Sequence, residues 1–298
     1  MTVAAFFAAI FAPFFYGLLN FIDERFVSSL IKRVPTLIFY TTMTGLALSP
    51  ILFIFYPFQI PTMGIFLLSA ASGVFFVLAF MPYFYAFRYA DTSVIAALGG
   101  LSYIFVPIVA FFALGETVPV QQYAGFAVLL IAAAFLTINR GAKFSINAAF
   151  WLCMLSGFFW AWKEVAAKAS LAHINMGMVY FITMVSAAAF VAIINMFGKN
   201  PREVAHAWAA YRSKLWLFLL AEFLQMAAIA LSLFAIIYLP LTVVTGFGQL
   251  QPVFALLISW AVLAITGRTY NEALDRRSVY KKIVLFALMI VGAVLLAV

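Results

Sequence analysis

Chemistry in this chain has to come from the few polar side chains set inside long apolar runs. Glu222 is the sharpest, about seven residues into the run that begins at Leu215, with Gln225 one helical turn further on the same face. A carboxylate at that depth could bind a cationic substrate or carry a proton; equally, it could sit at headgroup level or pair with a buried lysine. Lys163 and Glu164 lie near the middle of another run, flanked by Trp160 and Trp162. Glu164 and Lys168 have the acid-first spacing of four that favours an intrahelical pair. That pairing leaves Lys163 to meet Glu222 or an anionic substrate group, or to join a structural ion pair. Gln249 and Gln251 carry amides that need partners at depth, from substrate or from a neighbouring helix. Asn20, Tyr83, Tyr103 and Trp160 complete the candidate pocket by depth and by proximity to these polar positions.

Other chemistries find no footing. There is no HExxH or CxxC spacing for a metal, no GxxxxGK loop for phosphate and no Gly-x-Ser-x-Gly elbow. The two histidines, His173 and His206, stand near the ends of apolar runs. No cofactor, metal or enzymatic activity is therefore expected, and without a nucleotide loop any transport would be driven by a gradient. The net charge of +8 lies in short segments between apolar runs, which reads as membrane topology and not as nucleic-acid binding.

The elements that must position these residues are membrane helices. Of 298 residues 67% are hydrophobic and 9% charged, with a mean hydropathy of +1.15. Soluble domains carry roughly a quarter charged residues. Lipid admits only helices or closed barrels, and the apolar runs here are continuous rather than alternating. Spans are expected at about 4–22, 36–58, 64–88, 92–114, 119–139, 148–172, 176–197, 215–238, 241–266 and 281–298, each close to the length that crosses a bilayer. The first run lacks a basic leader with a small-residue cleavage site and is expected to remain. Cys153, the single cysteine, is expected to pack inside a helix. The basic, aromatic stretch 198–214 reads as an interfacial helix or a solvated linker.

The chain is duplicated. Tyr238-Leu-Pro-Leu-Thr-Val-Val-Thr-Gly-Phe-Gly-Gln-Leu repeats the order of Tyr89-Ala-Asp-Thr-Ser-Val-Ile-Ala-Ala-Leu-Gly-Gly-Leu, so that Ser93 meets Thr242 and Gly99 meets Gly248. Phe14-Phe15-Tyr16-Gly17 likewise resembles Phe158-Phe159-Trp160-Ala161, and in that register Asn20 falls on Glu164. Glu222 falls on Gly73, so the halves differ where a specific substrate would need them to. Two halves of five helices, 1–140 and 141–298, must enter the membrane with opposite orientation because five is odd. An inverted repeat of this kind is the architecture of many secondary transporters, with the site near midplane.

The segment Ala110-Phe-Phe-Ala-Leu-Gly-Glu-Thr-Val-Pro-Val-Gln-Gln-Tyr-Ala-Gly125 resembles the Gly-Glu turn and following helix of the drug/metabolite transporter superfamily, in its ten-helix EamA-like branch. Asp91-Thr-Ser-Val and Pro107 fit the same pattern, whereas Gly267–Arg277 departs from it in the second half. The resemblance implies a secondary active transporter, an exporter of a small organic metabolite or drug-like compound across the cytoplasmic membrane by alternating access. The implied partners are substrate, protons or another coupling ion, and membrane lipid, with the chain a monomer or homodimer. A flippase for a lipid-linked intermediate is the alternative, and a non-transporting receptor or scaffold a further one. Apart from Lys163 and Lys168, the lysines and arginines follow odd-numbered spans, which puts both termini outside, whereas members of the family have both inside.

Overall fold

A computed structural model describes residues 2–26, 30–89, 103–137, 148–197, 202–251 and 276–297, with isolated positions between 95 and 99 and between 253 and 261. The described residues are helical throughout: α1 (Thr2–Arg25), α2 (Val34–Leu48), α3 (Met63–Ala86), α4 (Phe105–Leu114), α5 (Val120–Thr137), α6 (Ala148–Leu171), α7 (Met176–Phe197), α8 (Arg202–Ser213), α9 (Leu215–Tyr238), α10 (Leu241–Gly248) and α11 (Arg276–Ala297). Among the described residues, five segments are long and apolar enough to cross a membrane, in α1, α2 with its continuation, α3, α7 and α9; shorter apolar helices occupy 105–114, 120–132 and 284–297. This is the helical fold of a multi-pass membrane protein.

Local sequence sets the ends. Pro35 opens α2, and the helix tightens to a 3-10 turn over Ser49–Ile54 once Pro50 removes a backbone donor. The second expected span, 36–58, is therefore a shorter α-helix with a 3-10 extension. Gly115 ends α4 with φ of 65°, a left-handed turn glycine adopts without strain, and the N–H groups of Gly115 and Glu116 return to the carbonyls of Phe111 and Ala110.

Aromatic and aliphatic side chains such as Phe7, Phe112, Trp151, Phe223 and Ile290 face outward, as lipid-facing surfaces require. The interior is knit by a set of helix pairs: α3 with α6 and α7, α1 with α9 and α10, α5 with α11, α2 with α7 and α9, and α4 with α6 and α10. Glycines permit the closest crossings. A Cβ on Gly73 would stand 2.2 Å from the Thr183 carbonyl of α7, and one on Gly125 would stand 2.7 Å from the Gly292 carbonyl of α11.

The stretch 198–214 resolves in favour of a helix over its described part, and α8 is docked. Tyr40 donates to the Val204 carbonyl, Tyr211 and Thr44 hydroxyls share a 2.9 Å hydrogen bond, and Arg33 meets Glu203 at 3.2 Å. Rings then run in sequence: Tyr40 stacks on Tyr211, Tyr211 abuts Phe218 edge-on, and Phe218 stacks on Phe26 at 4.3 Å. These four rings tie α2, α8, α9 and the residue following α1 into one end of the bundle.

Candidate functional site

Helices α1 and α9 run antiparallel side by side. Phe26 pairs with Phe218 at one level, and ten residues back along α1 the Tyr16 hydroxyl reaches Ser232, fourteen residues on along α9. Together with α6 and α10 they wall a cavity of about 30 Å³, room for roughly two waters. Its polar lining is Tyr16, Tyr103, Glu164, Ser232 and Thr245, and Pro13, Trp160 and Ile236 are among its apolar walls. Pro13 interrupts the hydrogen bonding of α1 beside the cavity, and Gly248, with no atom of the described residues within 4 Å of an added Cβ, lies at its α10 edge.

Glu164 supplies the charge. Its Oε1 accepts from the Lys163 ammonium at 2.8 Å, and both side chains are buried. The same ammonium lies 4.7 Å from the Trp160 ring centre, a cation–π contact. A carboxylate with one oxygen held by lysine keeps its second for a donor in the cavity. Tyr16 and Tyr103 hydroxyls, close enough to feel the Glu164 charge, add groups that donate or accept.

The spacing-based pairing of Glu164 with Lys168 does not form. Lys168 reaches across to Glu116 Oε2 at 2.7 Å and to the Leu239 carbonyl at 3.1 Å. Glu116 Oε1 in turn accepts from the Thr242 N–H at 3.3 Å, in the first turn of α10, where a carboxylate opposes the helix dipole favourably. An interhelical contact that also satisfies an open helix end outcompetes an i,i+4 pair that contributes about 0.5 kcal/mol at most. Lys163 is consequently engaged by its own neighbour and does not meet Glu222.

The remaining expected residues divide. Tyr103, Trp160 and Glu164 line the cavity, with Lys163 behind Glu164. Gln251 points its amide toward the Tyr16 carbonyl at 3.5 Å. Gln249 is 1% exposed, and neither its amide nitrogen nor its oxygen has a hydrogen-bond partner. Glu222 and Gln225 are buried on α9 but outside the cavity lining. Tyr83 packs among Phe80, Phe84 and Phe87, likewise outside it. The Asn20 side chain lies outside the described residues, as do Asp91 and the 267–275 turn. Arg88 lies 4.9 Å from the Tyr85 ring centre and donates to the Lys32 carbonyl at 3.3 Å. No residue of α3 is in the lining, because Phe76 and Phe80 close against Trp160 instead.

Tyr16, Ser232 and Thr245 are functional candidates that depth and charge did not single out. Tyr16 had a signal: it occupies the place in Phe14-Phe15-Tyr16-Gly17 that Trp160 holds in Phe158-Phe159-Trp160-Ala161, and both line the cavity. Ser232 and Thr245 look like any small hydroxyl in a membrane helix until the packing points them inward.

No protein-family model matches this chain, and no curated protein matches it. A solved structure described only as the crystal structure of a protein superposes with a TM-score of 0.66 at 16% identity, covering 99% of this chain and 95% of its own. At that identity the likeness is one of fold.

Proposed function

We propose that this chain is a ten-span secondary active transporter of the drug/metabolite, EamA-like kind, exporting a small organic compound by alternating access between two inverted five-helix halves. The observation that carries the reading is the packing pattern. Exchange α1 with α6, α2 with α7, α3 with α9, α4 with α10 and α5 with α11, and the helix pairs map onto one another. The α1–α9 pair becomes α6–α3, α1–α10 becomes α6–α4, α2–α9 becomes α7–α3, and the α5–α11 and α2–α7 pairs return themselves. Such exchange is what a pseudo-two-fold axis between duplicated halves produces, and the duplicated sequence motifs give the same register.

The cavity supports the mechanism. It is lined by elements of both halves, its volume of about 30 Å³ is far below the 300–1,000 Å³ of sites that hold organic ligands, and its polar groups surround Glu164. A site this small fits a contracted arrangement, in which the halves must part further to admit substrate. Glu164, held by Lys163, recognises a donor or cationic group; Tyr16, Tyr103, Ser232 and Thr245 orient it; Trp160 supplies an apolar and π face.

The test is reconstitution of the full chain into liposomes loaded with a labelled panel of amino acids, nucleobases and lipophilic cations. Exchange of at least one compound at rates tenfold or more above protein-free vesicles, reduced to background by Glu164→Gln, is the expected result. If no compound in the panel moves, or if transport is unchanged in Glu164→Gln, the reading or its site fails respectively.

A further inference from the structure

We propose that Asp23 and Glu222, with the Tyr180 hydroxyl, form a proton-binding site separate from the Glu164 cavity, whose loading holds α1 against α9 and whose emptying drives them apart. The proposal rests on the transport reading above and names its coupling ion.

The geometry follows from the antiparallel α1–α9 pair. Phe26 and Phe218 stack at 4.3 Å. Three residues back from Phe26 is Asp23, and four residues on from Phe218 is Glu222; on antiparallel helices those steps, each about one turn, bring both carboxyls to the same level. The two interact electrostatically. Glu222 is 5% exposed, its Oε2 lies 2.9 Å from where a Cβ on Gly45 would stand, and the Met184 sulfur abuts the same point at 3.2 Å. Among the described residues neither Glu222 nor Asp23 takes part in a hydrogen bond or an ion pair. Tyr180, from α7, is 1% exposed and near Glu222, and its hydroxyl has no hydrogen-bond partner.

The surroundings can be taken element by element. From α2 the neighbour is Gly45; from α7, Tyr180 and Met184; from α3, Tyr83, close enough to feel Asp23. Arg25 on α1 is exposed. Lys163 is held by Glu164, and Lys168 by Glu116. A buried Glu222 carboxylate beside a half-buried Asp23 carboxylate, with no cation between them among the described residues, would be two uncompensated like charges, which is unfavourable. One proton removes a charge and creates an O–H donor for the other carboxylate or for the Tyr180 oxygen. A metal ion is a poorer fit, since hard cations require many oxygen ligands and the walls here are a glycine and a thioether.

The step is an addition and its reverse: a carboxylate oxygen takes a proton from water on one side of the membrane, forming an O–H bond, and that bond later returns the proton to water on the other side. Loss of the proton leaves like charges facing one another across the α1–α9 seam. That seam continues into the Tyr16–Ser232 wall of the cavity about 10 Å deeper, seven residues along α1. Repulsion at Asp23 and Glu222 therefore opens the same seam through which substrate reaches Glu164.

Infrared difference spectroscopy of the full-length protein in lipid, between acidic and alkaline buffer and without substrate, reads the proton directly. The expected result is a protonated-carboxyl band that disappears at alkaline pH, is lost in Glu222→Gln, and shifts in Asp23→Asn and in Gly45→Ala. A band unaltered in both carboxyl variants overturns the proposal, as does a pH response erased when sodium replaces choline in the buffer, which would mark a metal-ion site. Because the band needs no substrate, its persistence alongside failed metabolite exchange separates this site from the transport reading.

Discussion

Lys163 and Glu164 are adjacent in sequence, and their contact is formed by two neighbouring side chains turning toward each other inside α6. Breaking such a pair from one side leaves a buried charge without its counterion, at a cost of about 3–5 kcal/mol, whereas replacing both with apolar or neutral groups of similar size is close to neutral. Lys163→Ala should therefore lower the thermal midpoint of the purified protein sharply, and Lys163→Met with Glu164→Gln should recover most of the loss. A double-mutant cycle in thermal-shift measurements checks this; equal loss in the double variant would show that the pair is not coupled. Glu116 acts differently, spanning the Lys168 ammonium and the first turn of α10. Glu116→Gln keeps a hydrogen-bond acceptor but loses the charge, and a loss of about 1–2 kcal/mol is expected. Glu116→Ala should cost more, read by the same measurement. Of these residues, depth and charge in the sequence identified Lys163, Glu164 and Glu222. Which cation each acid meets was not legible, because partner choice depends on helices far apart along the chain.

The helix pairs are held at their closest points by glycine. A Cβ on Gly73 would enter the backbone of α7, and one on Gly125 the backbone of α11, and backbone at a helix crossing cannot move aside as a side chain can. Gly73→Val and Gly125→Val are expected to abolish accumulation of folded protein in the membrane, measured as monodisperse material after extraction. Gly248→Ala, which would meet none of the described residues, should fold normally and act only through the cavity edge. If Gly125→Val gives wild-type yield, the close α5–α11 crossing is not required for folding. The run lengths in the sequence anticipated α1, α3, α6, α7 and α9 closely. They overestimated α2, where Pro50 turns a continuous apolar run into a 3-10 extension, because hydrophobicity continues through a proline even though α-helical hydrogen bonding does not. The amphipathic 198–214 stretch held a helix, and its seating by Tyr40, Thr44 and Arg33 is a tertiary fact that amphipathicity alone does not supply.

For the whole molecule, the proposed alternating access requires the α1–α9 seam to move. Phe26→Cys with Phe218→Cys, in a Cys153→Ala background and bridged by a short thiol cross-linker, should stop exchange of any compound the wild type moves, and cleavage of a reducible linker should restore it; unimpaired exchange in the bridged protein would exclude motion at that seam. Composition and run length by themselves determined that the chain is helical and embedded in lipid, since lipid admits only helices or closed barrels and these apolar runs are continuous rather than alternating. The duplicated motifs pointed further, to two related halves, and placed Tyr16 opposite Trp160. Only the tertiary structure decided that Lys168 belongs to Glu116 and Lys163 to Glu164, that Glu222 lies near Asp23 and pairs with no described lysine, and that α3 closes on aromatic rings while α1, α6, α9 and α10 line the polar cavity. The reason is physical. Burial and period are local properties that a sequence carries along its length, whereas an ion pair or a cavity depends on which faces of distant helices meet, and in a chain this uniformly apolar almost every face is equally fit for the interior.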